Sequence, residues 1–299
     1  MLLLNLLKSM RPRQWTKNLL VYIPFLFTLR QYWKPFSREM YTFIALSTAA
    51  FALFCALSGT IYLINDLVDI DKDRFHPTKR FRPIASGALK VRVVIVAVIV
   101  LLAVAIPLSF LLDVWFGLMA VCYFVLMLIY SFVLKNIVIV DVFTLGAGFV
   151  LRVLAGALAI HVPPSAWILV CTMLLALFVG FSKRRHELVL LEGDATNHRL
   201  ILKEYTAEVL DEMIAVTTAS FVMAYSLYTF TAENLPKNHT MMLTIPFALY
   251  IIFRLLYLVH VKGEGGSPEE MVLRDRPLFA SIVLWAAVAV GILYAFGGT

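Results

Sequence analysis

Residues 91–112 read VRVVIVAVIVLLAVAIPLSFLL, and the nature of this stretch decides the class of the molecule. Apart from Arg92 and Ser109 every side chain is apolar, so a helix built from it has no face suited to water. At about 1.5 Å per residue it is long enough for the roughly 30 Å hydrocarbon core of a bilayer. A soluble helical bundle predicts a polar stripe here, and the stretch has none.

The same pattern recurs on either side. The chain has 299 residues, of which 61% are hydrophobic and 15% charged. An ordinary soluble domain has about half its residues apolar and about a quarter charged. Apolar runs fall at 18–32, 40–64, 91–112, 115–134, 139–160, 165–182, 209–231, 240–261 and 277–297. They predict an all-α polytopic membrane protein with about nine transmembrane helices. The first run is the shortest and ends near Arg30.

The basic residues orient these spans. Of the 26 Lys and Arg, Arg30, Lys34, Arg38 and Lys237 fall on one side and Arg152 and Arg254 lie deep inside spans, with Arg92, at the mouth of the third, counted with the segment before it. The rest lie in the N-terminal tail and in the segments after even-numbered spans, which predicts a cytoplasmic N-terminus. An odd number of spans then puts the C-terminus outside. The net charge of +7 reads as topology and anion handling. It is no nucleic-acid footprint, because no soluble basic domain carries it.

Cys55, Cys122 and Cys171 sit in apolar spans without metal-ligand spacing and read as small packing residues. At the N-terminus, Leu2–Leu7 precedes the basic cluster instead of following it, so residues 2–10 read as an interfacial helix, not a cleaved signal. The expected organisation is a single membrane domain of two pseudo-repeated helix halves. Cytoplasmic loops at 65–90 and 183–208 would cover a central cavity.

The second span ends in Asn65-Asp66-Leu67-Val68-Asp69-Ile70-Asp71-Lys72-Asp73. On a continuing helix, about 100° per residue places Asn65, Asp69, Asp73 and Asp66 at roughly 0°, 40°, 80° and 100°, with Asp71 near 240°. Three carboxylates on one face repel one another and oppose the dipole of a helix C-terminus. A hard divalent cation such as Mg²⁺ resolves both costs. Asp66, Asp69 and Asp73 are therefore the expected metal and catalytic residues, with Asn65 assisting and Asp71 left to solvent. Downstream, His76, Lys79, Arg80 and Arg82 are natural partners for phosphate oxygens.

A second charged cluster, Lys183-Arg184-Arg185-His186-Glu187, ends the sixth span. Lys183, Arg184 and Glu187 share a face and suit an anion. Attraction of Arg185 and Arg199 to anionic lipid is the competing reading. Lys203 and Tyr205 follow in the same loop. Asp141, near the cytoplasmic end of the fifth span, with Tyr130 and Lys135 just before it, completes the expected substrate-binding set.

These motifs resemble those of the UbiA superfamily of intramembrane prenyltransferases. Asn65-Asp66-x-x-Asp69-x-x-x-Asp73 is similar to its first Asp-rich motif, and the helix count and both loop positions agree over essentially the whole chain. Most members carry a second Asp-rich motif where this chain has Lys183-Arg184-x-x-Glu187-Leu188. That departure looks like the decaprenyl-phosphate phosphoribosyltransferase branch. So do Arg11-Pro12-Arg13-Gln14-Trp15-x-Lys17-Asn18 and His76-Pro77-x-Lys79-Arg80-x-Arg82-Pro83-x-x-Ser86-Gly87.

The resemblance implies a UbiA-type bundle, Mg²⁺ as cofactor, and Lys17 among the substrate-binding residues. It implies transfer of phosphoribosyl from phosphoribosyl diphosphate to a polyprenyl phosphate in the cytoplasmic membrane, in arabinose-donor supply for the cell envelope. An aromatic or quinone-type prenyltransferase and a lipid-phosphate transporter are the alternatives. The missing second acidic cluster opposes the first. Polar residues gathered on one face oppose the second. Membrane lipid is an expected partner and nucleic acid is not, while homo-oligomers are left open.

Overall fold

A computed structural model describes residues 2–75, 78–191, 202, 204–266 and 268–297. Among these, eight helices are long and apolar enough to cross a membrane. They are α3 (Arg38–Val68), α5 (Val91–Leu112), α6 (Val114–Phe132), α7 (Val140–Ala159), α8 (Ala166–Leu191), α9 (Ala207–Thr231), α10 (Ile245–His260) and α12 (Arg276–Phe296). Shorter helices are α1 (Leu2–Ser9), α2 (Ile23–Phe27), α4 (Ile70–Phe75) and α11 (Pro268–Arg274). The chain is an integral membrane protein. The long helices are the second to ninth runs of the sequence, with ends within about five residues of expectation except at the end of α8, which runs nine residues further.

The expected first span takes a different form. Its first five residues, 18–22, end a 3₁₀ segment, Pro12–Tyr22, that begins in the expected tail, and the five-residue α2 follows. Pro12 opens it and Pro24 withholds an amide donor, and Arg11 and Arg30 at either end have positive φ. A 3₁₀ run of 11 residues is long for a helix with strained hydrogen bonds, so neighbouring structure must hold it.

One other expectation changes, and a further short helix appears. Residues 183–191 are the final turns of α8, not loop, because their charged side chains keep helical spacing. The polar segment 262–276 contains α11. The central part of the expected loop 183–208 lies outside the described residues.

Side-chain exposure agrees with a lipid setting. On α5, Val96, Ile99, Val100 and Val104 are more than half exposed. In water each such side chain would forgo about 1.5–3 kcal/mol of burial, whereas lipid tails solvate it. α1 likewise presents Leu2, Leu3 and Leu4 outward.

The helices form two compact units. The first comprises residues 1–25, 41–132 and 151–163, and the second 26–40, 133–150 and 164–299. In the first unit, Phe54, Phe116 and Tyr123 form a buried aromatic centre with Val21, Ala120 and Ala155. Gly156 allows the chain at Val21 to lie against α7, since a Cβ there would sit 2.1 Å from the Val21 carbonyl oxygen. In the second unit, α8, α9 and α10 pack through Leu177, Phe181, Leu210, Ile214 and Leu255. Arg254 on α10 donates twice to Asp275, at 3.0 and 2.7 Å, and Asp275 caps α12 by accepting from the Leu278 amide.

Candidate active site

The end of α3 continues into α4 with little loss of register. The Asp69 amide donates to the Asn65 carbonyl at 3.0 Å, and the Asp73 amide to the Asp69 carbonyl at 2.8 Å. The i, i+4 spacing therefore carries across the break between the two helices. Asp66 and Asp73 are buried, at 4% and 3% exposure, while Asn65 and Asp69 are half-buried. Asp71 points to solvent and pairs with Arg74 at 3.5 Å.

Basic side chains surround the two buried carboxylates. Arg82 Nη1 donates to Asp73 Oδ2 at 2.6 Å and to Asp66 Oδ1 at 3.2 Å. Arg11 Nη2 donates to the same Asp66 oxygen at 2.6 Å, with its guanidinium 4.6 Å from the Tyr62 ring centre. Lys79 Nζ lies 4.0 Å from Asp73. A buried carboxylate requires such compensation. Arg80 is exposed and lies over the Phe81 ring. His76 falls outside the described residues.

Among the described residues no three His, Cys, Asp or Glu side chains come close enough to hold a metal ion alone. The structure thus brings Asp66 and Asp73 together but does not add Asp69 as a third ligand. The donor set still suits Mg²⁺, which takes one or two carboxylates and completes its shell with substrate phosphates and water. Asp66 and Asp73 already converge on one cationic nitrogen, that of Arg82.

In the second unit, the cluster on α8 is arranged differently from its expected form. Arg184 is 2% exposed, with Nε donating to Asp141 Oδ2 at 2.7 Å and Nη1 donating to Glu187. Tyr205 accepts from the Ile139 amide at 2.6 Å and donates to Asp141 Oδ1 at 3.4 Å. Burial pushes the Tyr205 phenol above its usual range, so it stays a neutral donor at neutral pH. Arg184 is therefore a buried tie between α7 and α8. The expected open cationic surface is reduced to Lys183, which is exposed. Arg185 pairs with Asp211, a partner 26 residues away, so lipid attraction is not its only role. Lys17, Tyr130 and Lys135 are half-buried.

Arg11 is the site residue that sequence reasoning did not single out. Its signal was its place in a basic-aromatic stretch immediately before Pro12, where a positive φ turns the chain.

The chain is similar to several characterised proteins. Decaprenyl-phosphate phosphoribosyltransferase of Mycolicibacterium smegmatis is 31% identical over 300 residues, covering 97% of this chain and 92% of the relative. The proteins of that name in Mycobacterium tuberculosis and Corynebacterium glutamicum are 32% and 33% identical. They cover 99% and 97% of this chain, and 96% and 87% of the relatives. In fold, the chain is similar to a UbiA homolog from Archaeoglobus fulgidus bound to GPP and Mg²⁺. The TM-score is 0.70 at 18% identity, covering 97% of this chain and 99% of the other. It is also similar to a structure of digeranylgeranylglyceryl phosphate synthase, with a TM-score of 0.67 at 14% identity, covering 98% and 99%. The model of the UbiA prenyltransferase family matches residues 24–267, and the chain belongs to that family.

Proposed function

We propose that this protein transfers the 5-phosphoribosyl group of phosphoribosyl diphosphate to a polyprenyl phosphate and releases diphosphate. The observation that carries this reading is the near full-length similarity to three proteins named decaprenyl-phosphate phosphoribosyltransferase. The acidic and basic side chains around Asp66 and Asp73 have the chemistry the donor requires.

In the transfer, the bond from ribose C1 to the diphosphate oxygen breaks and a bond from C1 to an oxygen of the lipid phosphate forms. Asp66 and Asp73 are the residues that would hold Mg²⁺ with the donor's diphosphate, where the ion would offset the charge of the leaving group. Arg82, Arg11 and Lys79 bind phosphate oxygens, the guanidiniums exchanging a carboxylate partner for a phosphate one. Arg80 extends that basic rim, and Asn65 and Asp69 orient the water or hydroxyl groups around it; His76, from the same stretch of sequence, is a further candidate for a phosphate contact.

A phosphate monoester has a second pKa near about 6, so the acceptor is mostly dianionic at neutral pH and attacks without a general base. Lys183 offers a phosphate contact at the end of α8. Arg184 keeps Asp141, Glu187 and Tyr205 in place behind it. Lys17 and Tyr130 in the first unit and Lys135 in the second are further candidates for substrate contacts.

The reading includes a cytoplasmic N-terminus, supported by the distribution of Lys and Arg. It also includes nine crossings. The first would be the run at 18–32, the shortest of the nine.

The test uses purified protein in detergent with Mg²⁺, polyprenyl phosphate and phosphoribosyl diphosphate labelled in the ribose. Label enters the organic phase with the unaltered protein and stays in water with Asp73→Asn. Consumption of a prenyl diphosphate with an aromatic acceptor, and no movement of ribose label, would overturn the reading.

A further inference from the structure

An arginine within a membrane span is costly unless its environment satisfies it. Arg152, on α7, is only 7% exposed. Its Nε donates to Asn18 Oδ1 at 2.7 Å, and its Nη2 to the Tyr123 hydroxyl at 2.7 Å, with the guanidinium 4.5 Å from the same ring. Asn18 is fully buried, and its Nδ2 donates to Ser58 Oγ at 3.1 Å and Cys55 Sγ at 3.3 Å on α3. One side chain of the 3₁₀ segment thus links α7 and α3.

The contact continues one turn along. Residues 152 and 156 share a face of α7. Residues 18 and 21 are three apart and eclipse on a 3₁₀ helix. Arg152 meets Asn18, and Gly156 meets the backbone at Val21. The segment is therefore held in register at two successive points. A 3₁₀ helix of this length has weak internal hydrogen bonds, so an external clamp decides its placement.

Arg11 stands at the opposite end of the segment, immediately before Pro12. About 14 Å of 3₁₀ helix separates it from Asn18, at about 2 Å per residue. Its guanidinium reaches Asp66 from there. A rotation or slip at Asn18 would carry Arg11 away from the carboxylate, because the clamp at Asn18 sets the register of the continuous 3₁₀ segment that Arg11 opens.

We propose that Arg152 is a positioning residue for binding of the phosphoribosyl donor, acting through Asn18 and the Pro12–Tyr22 segment on Arg11. The inference rests on the reading of Arg11 and Asp66 as part of the donor site. A buried arginine that merely fills space would affect both substrates through stability. A positioning arginine affects the donor selectively, and only while Arg11 is present.

The experiment measures kcat and both KM values for Arg152→Met, Arg11→Ala and the double variant in the full-length protein. Loss of a charged hydrogen bond to the donor predicts a rise in donor KM of about tenfold or more for Arg11→Ala. Arg152→Met should give a rise of similar direction and size, with the KM for polyprenyl phosphate unchanged within about twofold and the double variant no worse than Arg11→Ala. An unchanged donor KM in Arg152→Met, or multiplying effects in the double variant, would overturn the proposal while leaving the donor site standing. An unchanged donor KM in Arg11→Ala would overturn the donor-site reading and the proposal with it. If Arg152→Met is not recovered folded, Asn18→Ser breaks the same link from the other side and is judged by the same results.

Discussion

Asp66 Oδ1 and Asp73 Oδ2, two turns apart, accept hydrogen bonds from a single nitrogen, Arg82 Nη1. Two buried carboxylates sharing one cation form a site in which a second cation must displace or join the first. Mg²⁺ and the donor should therefore bind together, since the donor's phosphates take over Arg82 as the ion takes the carboxylates. Thermal unfolding in detergent tests this. Mg²⁺ with phosphoribosyl diphosphate should raise Tm by more than the summed effects of each alone. Saturation at about 100 times Kd corresponds to about 2.7 kcal/mol. Additive shifts would count against coupled binding.

Removing one carboxylate should uncouple that site. Asp73→Asn keeps the volume but leaves Arg82 with a weaker partner. We expect transfer to fall by at least about a hundredfold, the scale of losing a charged group that acts on the leaving diphosphate. Asp71→Asn, at a solvent-facing carboxylate, should retain activity within about twofold, the usual scale of change at an exposed position. A comparable loss in both variants, measured by ribose-label transfer, would argue against the division of the acidic run into buried and solvent faces.

The Asp141–Arg184–Glu187 group predicts a stability effect. Arg184→Met leaves two carboxylates without their cation, and breaking a buried pair costs about 3–5 kcal/mol. Asp141→Leu combined with Arg184→Met should recover part of the lost Tm, because no uncompensated charge remains at that position. A neutral Arg184→Met variant would show that the guanidinium is not structural.

Asp275 gives the pH dependence. Hydrogen bonds from Arg254 hold its carboxyl below the usual carboxylate range. A depressed folded pKa contributes stability above the unfolded value, about 3.9, and that contribution is lost as pH falls through the folded value. The acid limb of the Tm–pH curve should therefore flatten below about pH 4 in Asp275→Asn. An unaltered limb would show that this pair does not govern acid unfolding.

Topology separates nine crossings from eight. On the reading of nine crossings, with the run at 18–32 added to the eight long helices, reporter tags at the two ends of the chain should report opposite faces. Tags on the same face would make that segment a re-entrant or surface element.

Residues close in sequence announced their arrangement. Val91–Leu112 had to be a span, because a bilayer requires each crossing segment to satisfy its own backbone and present apolar side chains. The separation of Asp71 from Asp66 and Asp73 followed from helical period alone, which survives the break at Asp69. The 3₁₀ form of Pro12–Tyr22 was not legible, since its mixed polar and apolar residues do not reveal what holds it.

Amino-acid order by itself determined the long spans, the acidic face and the basic rim, because these depend on composition and spacing within a few helical turns. Tertiary structure alone decided which charges are available. Arg184 meets Asp141 across 43 residues, Arg11 meets Asp66 across 55, and Arg152 meets Asn18 across 134. Charge pairing depends on distance in space, and no local periodicity records how distant helices come together.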